Sequence, residues 1–193
     1  MKLSGLTRAV KKRRYLEIAQ NESGTQYLSL GCAIYPLDGF PYVNDKYELG
    51  ALFGLSRAKM DEKYTFRETS IVNHDLYGYD IADCIEGNEI QVKRWPMEIS
   101  YLGQTTEPWV SPEGELDLVD PELLAPIMDE INNGEYIGYF RRTSKDGQNY
   151  YVVKSGMYLR AVLLPTRVWR DFVDKMKQII RMLPEKNIME EPK

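Results

Sequence analysis

The run from Tyr136 to Leu183 constrains the fold of this chain most: three alternating segments lead into one long amphipathic one. Tyr136 to Arg142 and Gln148 to Lys154 read as strands about Asp146-Gly147, and Met157 to Leu164 reads as a third after Ser155-Gly156. Pro165-Thr166 introduces a helix from Arg167 to Leu183, and Pro184 stops it. Val168, Trp169, Phe172, Val173, Met176, Ile179, Ile180 and Leu183 make its apolar face. Such a meander has to bury one sheet face under that helix. The expected class is therefore α+β: antiparallel sheet, a long C-terminal amphipathic helix across one face, and a second helix near residues 121–133.

Two-residue turns at both hairpins would put Val152, Leu159, Ala161 and Leu163 on one face, beneath the helix. Phe140, Arg142, Tyr151, Val153, Tyr158 and Arg160 would share the other. Aromatic rings interleaved with arginines on an open sheet suit single-stranded nucleic acid, where bases stack on rings and guanidinium groups meet phosphates. The expected nucleic-acid-binding residues are Phe140, Arg142, Tyr151, Tyr158 and Arg160. The same alternation also fits a face that is simply core against the N-terminal half, because Tyr and Phe favour strands. The strand–strand–strand–helix unit over residues 136–183 resembles the PUR repeat and related single-strand-binding folds, which implies a non-enzymatic nucleic-acid binder.

Charge is distributed unevenly. From Trp95 to Phe140 there is no Lys or Arg, while Glu98, Glu107, Glu113, Glu115, Asp117, Asp120, Glu122, Asp129, Glu130 and Glu135 are acidic. The net charge is only −4, so the rest of the chain is net positive, and Arg8, Lys11, Lys12, Arg13 and Arg14 form its densest basic run. That run reads as a solvated element with the capacity to contact phosphates. The acidic span from Glu98 to Glu135 supports an alternative function, a counter-defence inhibitor that imitates nucleic-acid phosphate and occupies a basic groove of a host protein. Glu107, Glu113, Glu115 and Asp117 would carry that contact.

Tyr77 to Trp95 reads as two short strands about Gly87-Asn88. It carries Asp80 followed by Gln91-Val92-Lys93, a pattern that resembles Mg²⁺-dependent nucleases of the PD-(D/E)xK class. A two-residue loop would place Asp80 roughly 13 Å along the strand from the position facing Gln91, too far to share a metal. The nuclease is the third reading, and no catalytic residue, metal ligand or cofactor is assigned.

The remaining segments fill in the expected architecture. Tyr15 to Ala19 and Gln26 to Ile34 read as strands, Ser56 caps a short helix through Lys63, and Pro96 to Pro112 reads as a surface loop. Asp120-Pro121-Glu122 starts a helix that Gly134 ends. Ala33 to Tyr42, followed by Leu52-Phe53-Gly54-Leu55 and a charged segment, resembles uncharacterised accessory proteins of phages and prophages, which implies a mobile-DNA setting. With 43% hydrophobic residues the chain can form one domain, or packed sub-units over 1–95, 96–135 and 136–183. No apolar run approaches a membrane span, and Cys32 and Cys84 lack disulfide or metal spacing. A cytoplasmic protein without membrane contact is expected, and its lone His74 reads as a loop residue.

Overall fold

The computed structural model of the chain describes residues 1–85, 87, 89–95, 97–133 and 136–182. Asn88 of the expected turn, the helix end at Gly134, the acidic Glu135 and the helix end at Leu183-Pro184 lie outside these. The basic N-terminal run is a helix, α1 (Leu3–Lys12), because Leu6, Ala9 and Val10 form a buried stripe between the cations. Strands β1 (Tyr15–Gln20), β2 (Gln26–Ser29) and β3 (Ala33–Pro36) follow as an antiparallel meander. Two short helices come next. Asp45 caps α2 (Lys46–Leu52) through the Tyr47 and Glu48 amides, and Ser56 caps α3 (Arg57–Lys63) through the Lys59 amide. They form the crossover that returns β4 (Thr65–Ser70) parallel to β1.

Residues 75–110 depart from the expected hairpin and loop. β5 (Asp75–Leu76) pairs with β6 (Tyr79–Asp80), so Asp80 is committed to its own two-stranded ribbon. β7 (Ile90–Gln91) joins β12 (Ile137–Thr143), and β8 (Lys93–Arg94) joins β10 (Gln104–Val110). Val92 is the crossing point, donating its amide to the Tyr139 carbonyl. β9 (Ile99–Tyr101) also pairs with β10, so much of Pro96 to Pro112 is sheet. β10 is further paired with β11 (Leu116–Val119). Asp120 then caps a 3₁₀ helix (Pro121–Ile127), which gives way to α4 (Met128–Asn132). Pro126 has no amide hydrogen for an α-helical bond, and the α-helix begins only after it.

β12, β13 (Asn149–Ser155) and β14 (Tyr158–Leu163) form the expected C-terminal meander. They continue through β14–β3 pairing into an eight-stranded sheet of order β4-β1-β2-β3-β14-β13-β12-β7. N-terminal and C-terminal strands thus share one sheet. Both of its faces are covered, which is why β2 and β3 are buried at every residue. One face, with Leu16, Leu28, Tyr35, Tyr151, Val153 and Leu163, lies under α1, the 3₁₀ helix and Trp109. The opposite face, with Ala19, Tyr27, Ile34, Tyr150, Val152 and Val162, lies under Ile71, Leu76 and Ile81.

The C-terminal helix, α5 (Arg170–Met182), starts three residues later than expected and packs elsewhere. Met176 and Ile180 cover Leu116 and Leu118 of the small sheet, not the Val152/Leu163 region of the large one. Trp169 is largely exposed at its N-terminal end rather than facing inward. Among the described residues no helix is long and apolar enough to cross a membrane.

Candidate functional site

Strand alternation puts Tyr15, Glu17 and Ala19 on one face of β1, and the parallel register with β4 sets Arg67 and Thr69 beside them. Glu17 has no exposed surface. Its Oε2 accepts a hydrogen bond from the Tyr15 hydroxyl at 3.0 Å, and its Oε1 accepts from Thr69 at 2.6 Å and from Tyr77 at 2.5 Å. No ion pair to Glu17 forms among the described residues, although Arg67 occupies the neighbouring register position. A carboxylate has about four lone-pair sites, so three hydroxyls nearly fill it without neutralising it. Burial, and then the adjacent carboxylate, push the Tyr15 phenol well above its ordinary value.

Tyr77 arrives over Glu17 from a turn that L-residues rarely adopt. Asn73, His74 and Tyr77 have φ of 50°, 58° and 57°. The turn is held by an Asp75–Lys145 ion pair, by the Gly78 amide donating to Asp75 Oδ1 at 2.9 Å, and by the Ile81 amide donating to the His74 carbonyl at 2.8 Å. Buried Leu76 anchors it to the sheet. Strained backbone held by surrounding contacts is concentrated at ligand sites. His74 itself is an exposed loop residue.

Above Glu17 lies a cup of about 310 Å³, walled by the rings of Tyr15, Tyr77 and Tyr79 with Ile34 and Leu164. The Tyr79 ring is fixed edge-on against Tyr150 at 5.2 Å. Gly31, at φ +78°, lies against Tyr15, where a Cβ would come within 3.5 Å of that ring. The result is an aromatic, mostly apolar cavity with one buried negative charge beneath its floor.

The residues expected to form a nucleic-acid platform are dispersed. The β12–β13 connection is not a two-residue turn: the Ser144 amide donates to Gln148 and the Gly147 amide to Ser144. Arg142 consequently pairs with Tyr150, and Tyr151 moves to the opposite face from Arg142 and Phe140. Tyr151 is buried, edge-on to Trp109 at 5.0 Å, with its hydroxyl donating to Asp117 at 2.7 Å. Burial, with the Asp117 carboxylate second, raises its phenol strongly. Arg142 is also buried, gripping Glu89 at 2.6 Å and the carbonyls of Asp80, Ala82 and Asp83. Phe140 is half-buried with the Lys154 ammonium 4.9 Å from its ring centre. A register shift after Val153 leaves Arg160 unpaired in the ladder, and its guanidinium reaches Glu130 at 3.1 Å. Tyr158 alone of the five is largely exposed.

The acidic quartet does not form one surface either. Glu107 is buried, accepting from Arg94 at 2.6 Å and from the Trp109 indole at 2.8 Å. Asp117 is occupied by Tyr151 and Asn149. Glu113 and Glu115 are the exposed pair, each 3.7 Å from a cation, Arg141 and Lys177 respectively. Much of the acidic span is neutralised by α1 and its flanks, with Asp120 on Arg13, Glu122 on Lys12 and Asp129 on Lys2. The uneven charge of the sequence is thus largely paired internally.

Asp80, Gln91 and Lys93 lie on strands of three different sheets, and Asp80 Oδ1 caps the Ala82 amide. Among the described residues no three His, Cys, Asp or Glu side chains gather around a point suited to a metal. No family model, curated protein or solved structure matches the chain.

Proposed function

We propose that this is a non-enzymatic binding protein whose ligand places an organic cation, a primary or methylated ammonium group, in the tyrosine-walled cup above Glu17. One observation carries the reading: Glu17 is a fully buried carboxylate supplied with hydroxyl donors and, among the described residues, paired with no cation. Burying a carboxylate is unfavourable unless charge or hydrogen bonding compensates it, and an incoming ammonium supplies both. Aromatic walls favour the same ligand, because a cation over a ring face is attracted by its quadrupole. The cup, about 310 Å³, admits a small alkylammonium group together with a short apolar stem.

The sign of the ligand charge is the point to test. Ligand-observed NMR with butylammonium, butanol and butyrate compares three molecules of similar size and different charge. Butylammonium is expected to bind, with transfer to tyrosine ring protons, and butyrate is expected to be excluded. Equal binding of butanol and butylammonium would make the cup an unspecific apolar cavity and end the reading.

A further inference from the structure

Glu17 borders the cup and yet exposes no surface to water. Something covers it, and of its three hydroxyl partners two belong to strands: Tyr15 on β1 and Thr69 on β4 are fixed by a six-residue parallel ladder. Tyr77 differs. It sits on the turn with φ +57°, outside any strand, and its side chain remains 57% exposed although its hydroxyl is anchored on Glu17 Oε1. The Tyr77 hydroxyl also lies 3.2 Å from Thr69 Oγ1, so both donors crowd the same carboxylate oxygen.

We infer that Tyr77 is the specificity-determining cover of this site: its phenol occupies Glu17 Oε1 in the free protein, and only a ligand donor strong enough to replace it gains the carboxylate. This inference rests on the cation-binding reading and adds the residue that decides which ligands succeed. The exchange conserves hydrogen bonds. The Tyr77 O–H leaves Oε1 for water, and an ammonium N–H takes its place. An alcohol or amide offers only another neutral donor and gains nothing by the exchange, whereas an N–H of an ammonium makes the stronger, charge-assisted bond. The Tyr77 ring, swung aside but still tethered through Leu76 and the Asp75–Lys145 pair, remains available as a wall.

Two variants separate cover from competitor. Tyr77→Gly removes the ring and suits the φ of +57°, so the turn keeps its backbone. Tyr77→Phe keeps the ring and removes the competing hydroxyl. Reactivity of Glu17 toward a water-soluble carbodiimide, read by peptide mass spectrometry, reports the cover without any ligand. Titration with butylammonium reports the competition. Tyr77→Gly should raise Glu17 labelling at least several-fold, while Tyr77→Phe should label like the wild type and bind butylammonium about tenfold more tightly, the size of one hydrogen bond to a charged group. Unchanged labelling in folded Tyr77→Gly would show that the cover lies elsewhere and overturn the inference. Tyr77→Phe binding no more tightly than a wild type that does bind would overturn it independently, even if the glycine variant failed to fold. Raised labelling in Tyr77→Gly with no butylammonium binding by any variant would sink the cation reading and leave Tyr77 as the cover of Glu17.

Discussion

Arg142 and Glu89, 53 residues apart, meet through two hydrogen bonds of 2.9 and 2.6 Å to a single carboxylate oxygen, with the Arg142 side chain fully enclosed. The other Glu89 oxygen accepts from Lys154 at 2.6 Å. The remaining guanidinium hydrogens hold the carbonyls of Asp80, Ala82 and Asp83. One arginine therefore ties Asp80, Ala82, Asp83 and Glu89 to the large sheet, and with them the base of the ribbon that carries Tyr77.

Arg142→Met should accordingly destabilise the fold by about 3–5 kcal/mol, the range for breaking a buried ion pair from one side. Urea denaturation measures it. A change within about 0.5 kcal/mol, normal for a surface residue, would mean that Arg142 is free for another partner.

The acidic span predicts a contrast between two glutamates. Glu107→Gln should cost about 3 kcal/mol, because it leaves Arg94 without its buried counter-ion. Glu113→Gln should leave the melting temperature essentially at the wild-type value, since its Arg141 contact is long and Glu113 is exposed. Equal effects in thermal melts would contradict the distinction between core and surface carboxylates.

The sequence made the terminal meander legible because alternation and Gly-containing turns mark strands directly. It did not reveal the register. Lengthening the Asp146-Gly147 turn by its hydrogen-bonded flanks moved Tyr151 to the other face, since a one-residue slip inverts a strand. Tyr77 to Trp95 misled for a different reason: dipeptide strands take their partners from distant segments, and no local pattern encodes that. The helix at residues 3–12 was hidden by its cations, although Leu6, Ala9 and Val10 carry the helical spacing. Glu17 lies amid Leu16, Ile18 and Ala19 in a segment that reads as a strand, but nothing local distinguishes a buried carboxylate there from a solvated one. Its burial depends on a turn sixty residues away.

Close approach of two helices gives a third prediction. A Cβ on Gly5 would stand 2.3 Å from the Ala125 carbonyl oxygen, a backbone atom that cannot swing aside. Gly5→Ala should lower stability by about 1–3 kcal/mol or more through overpacking of α1 against the 3₁₀ helix. A melting temperature unchanged from the wild type would contradict this packing.

Alkaline pH tests the tyrosine environments. Burial raises the phenols of Tyr15, Tyr27, Tyr35, Tyr64, Tyr150 and Tyr151 above the ordinary 10.0. Above about pH 10 the unfolded chain loses these protons while the folded chain keeps them. Their contribution to stability is therefore complete below pH 10 and is lost as pH rises through the folded values. Tyrosinate absorbance should rise in two phases, the second coinciding with loss of circular dichroism. Tyr151→Phe should shrink that second phase. A single phase centred near pH 10 with the fold intact would contradict these environments.

Whether Glu17 binds a cation is decided by calorimetric titration of butylammonium into wild type and Glu17→Gln. Glutamine preserves the shape and removes the charge. The wild type should bind measurably, and Glu17→Gln about 10- to 150-fold more weakly, the equivalent of about 1.5–3 kcal/mol for a hydrogen bond to a charged group. Equal affinity of the two folded proteins, or no binding by the wild type at millimolar ligand, would contradict it.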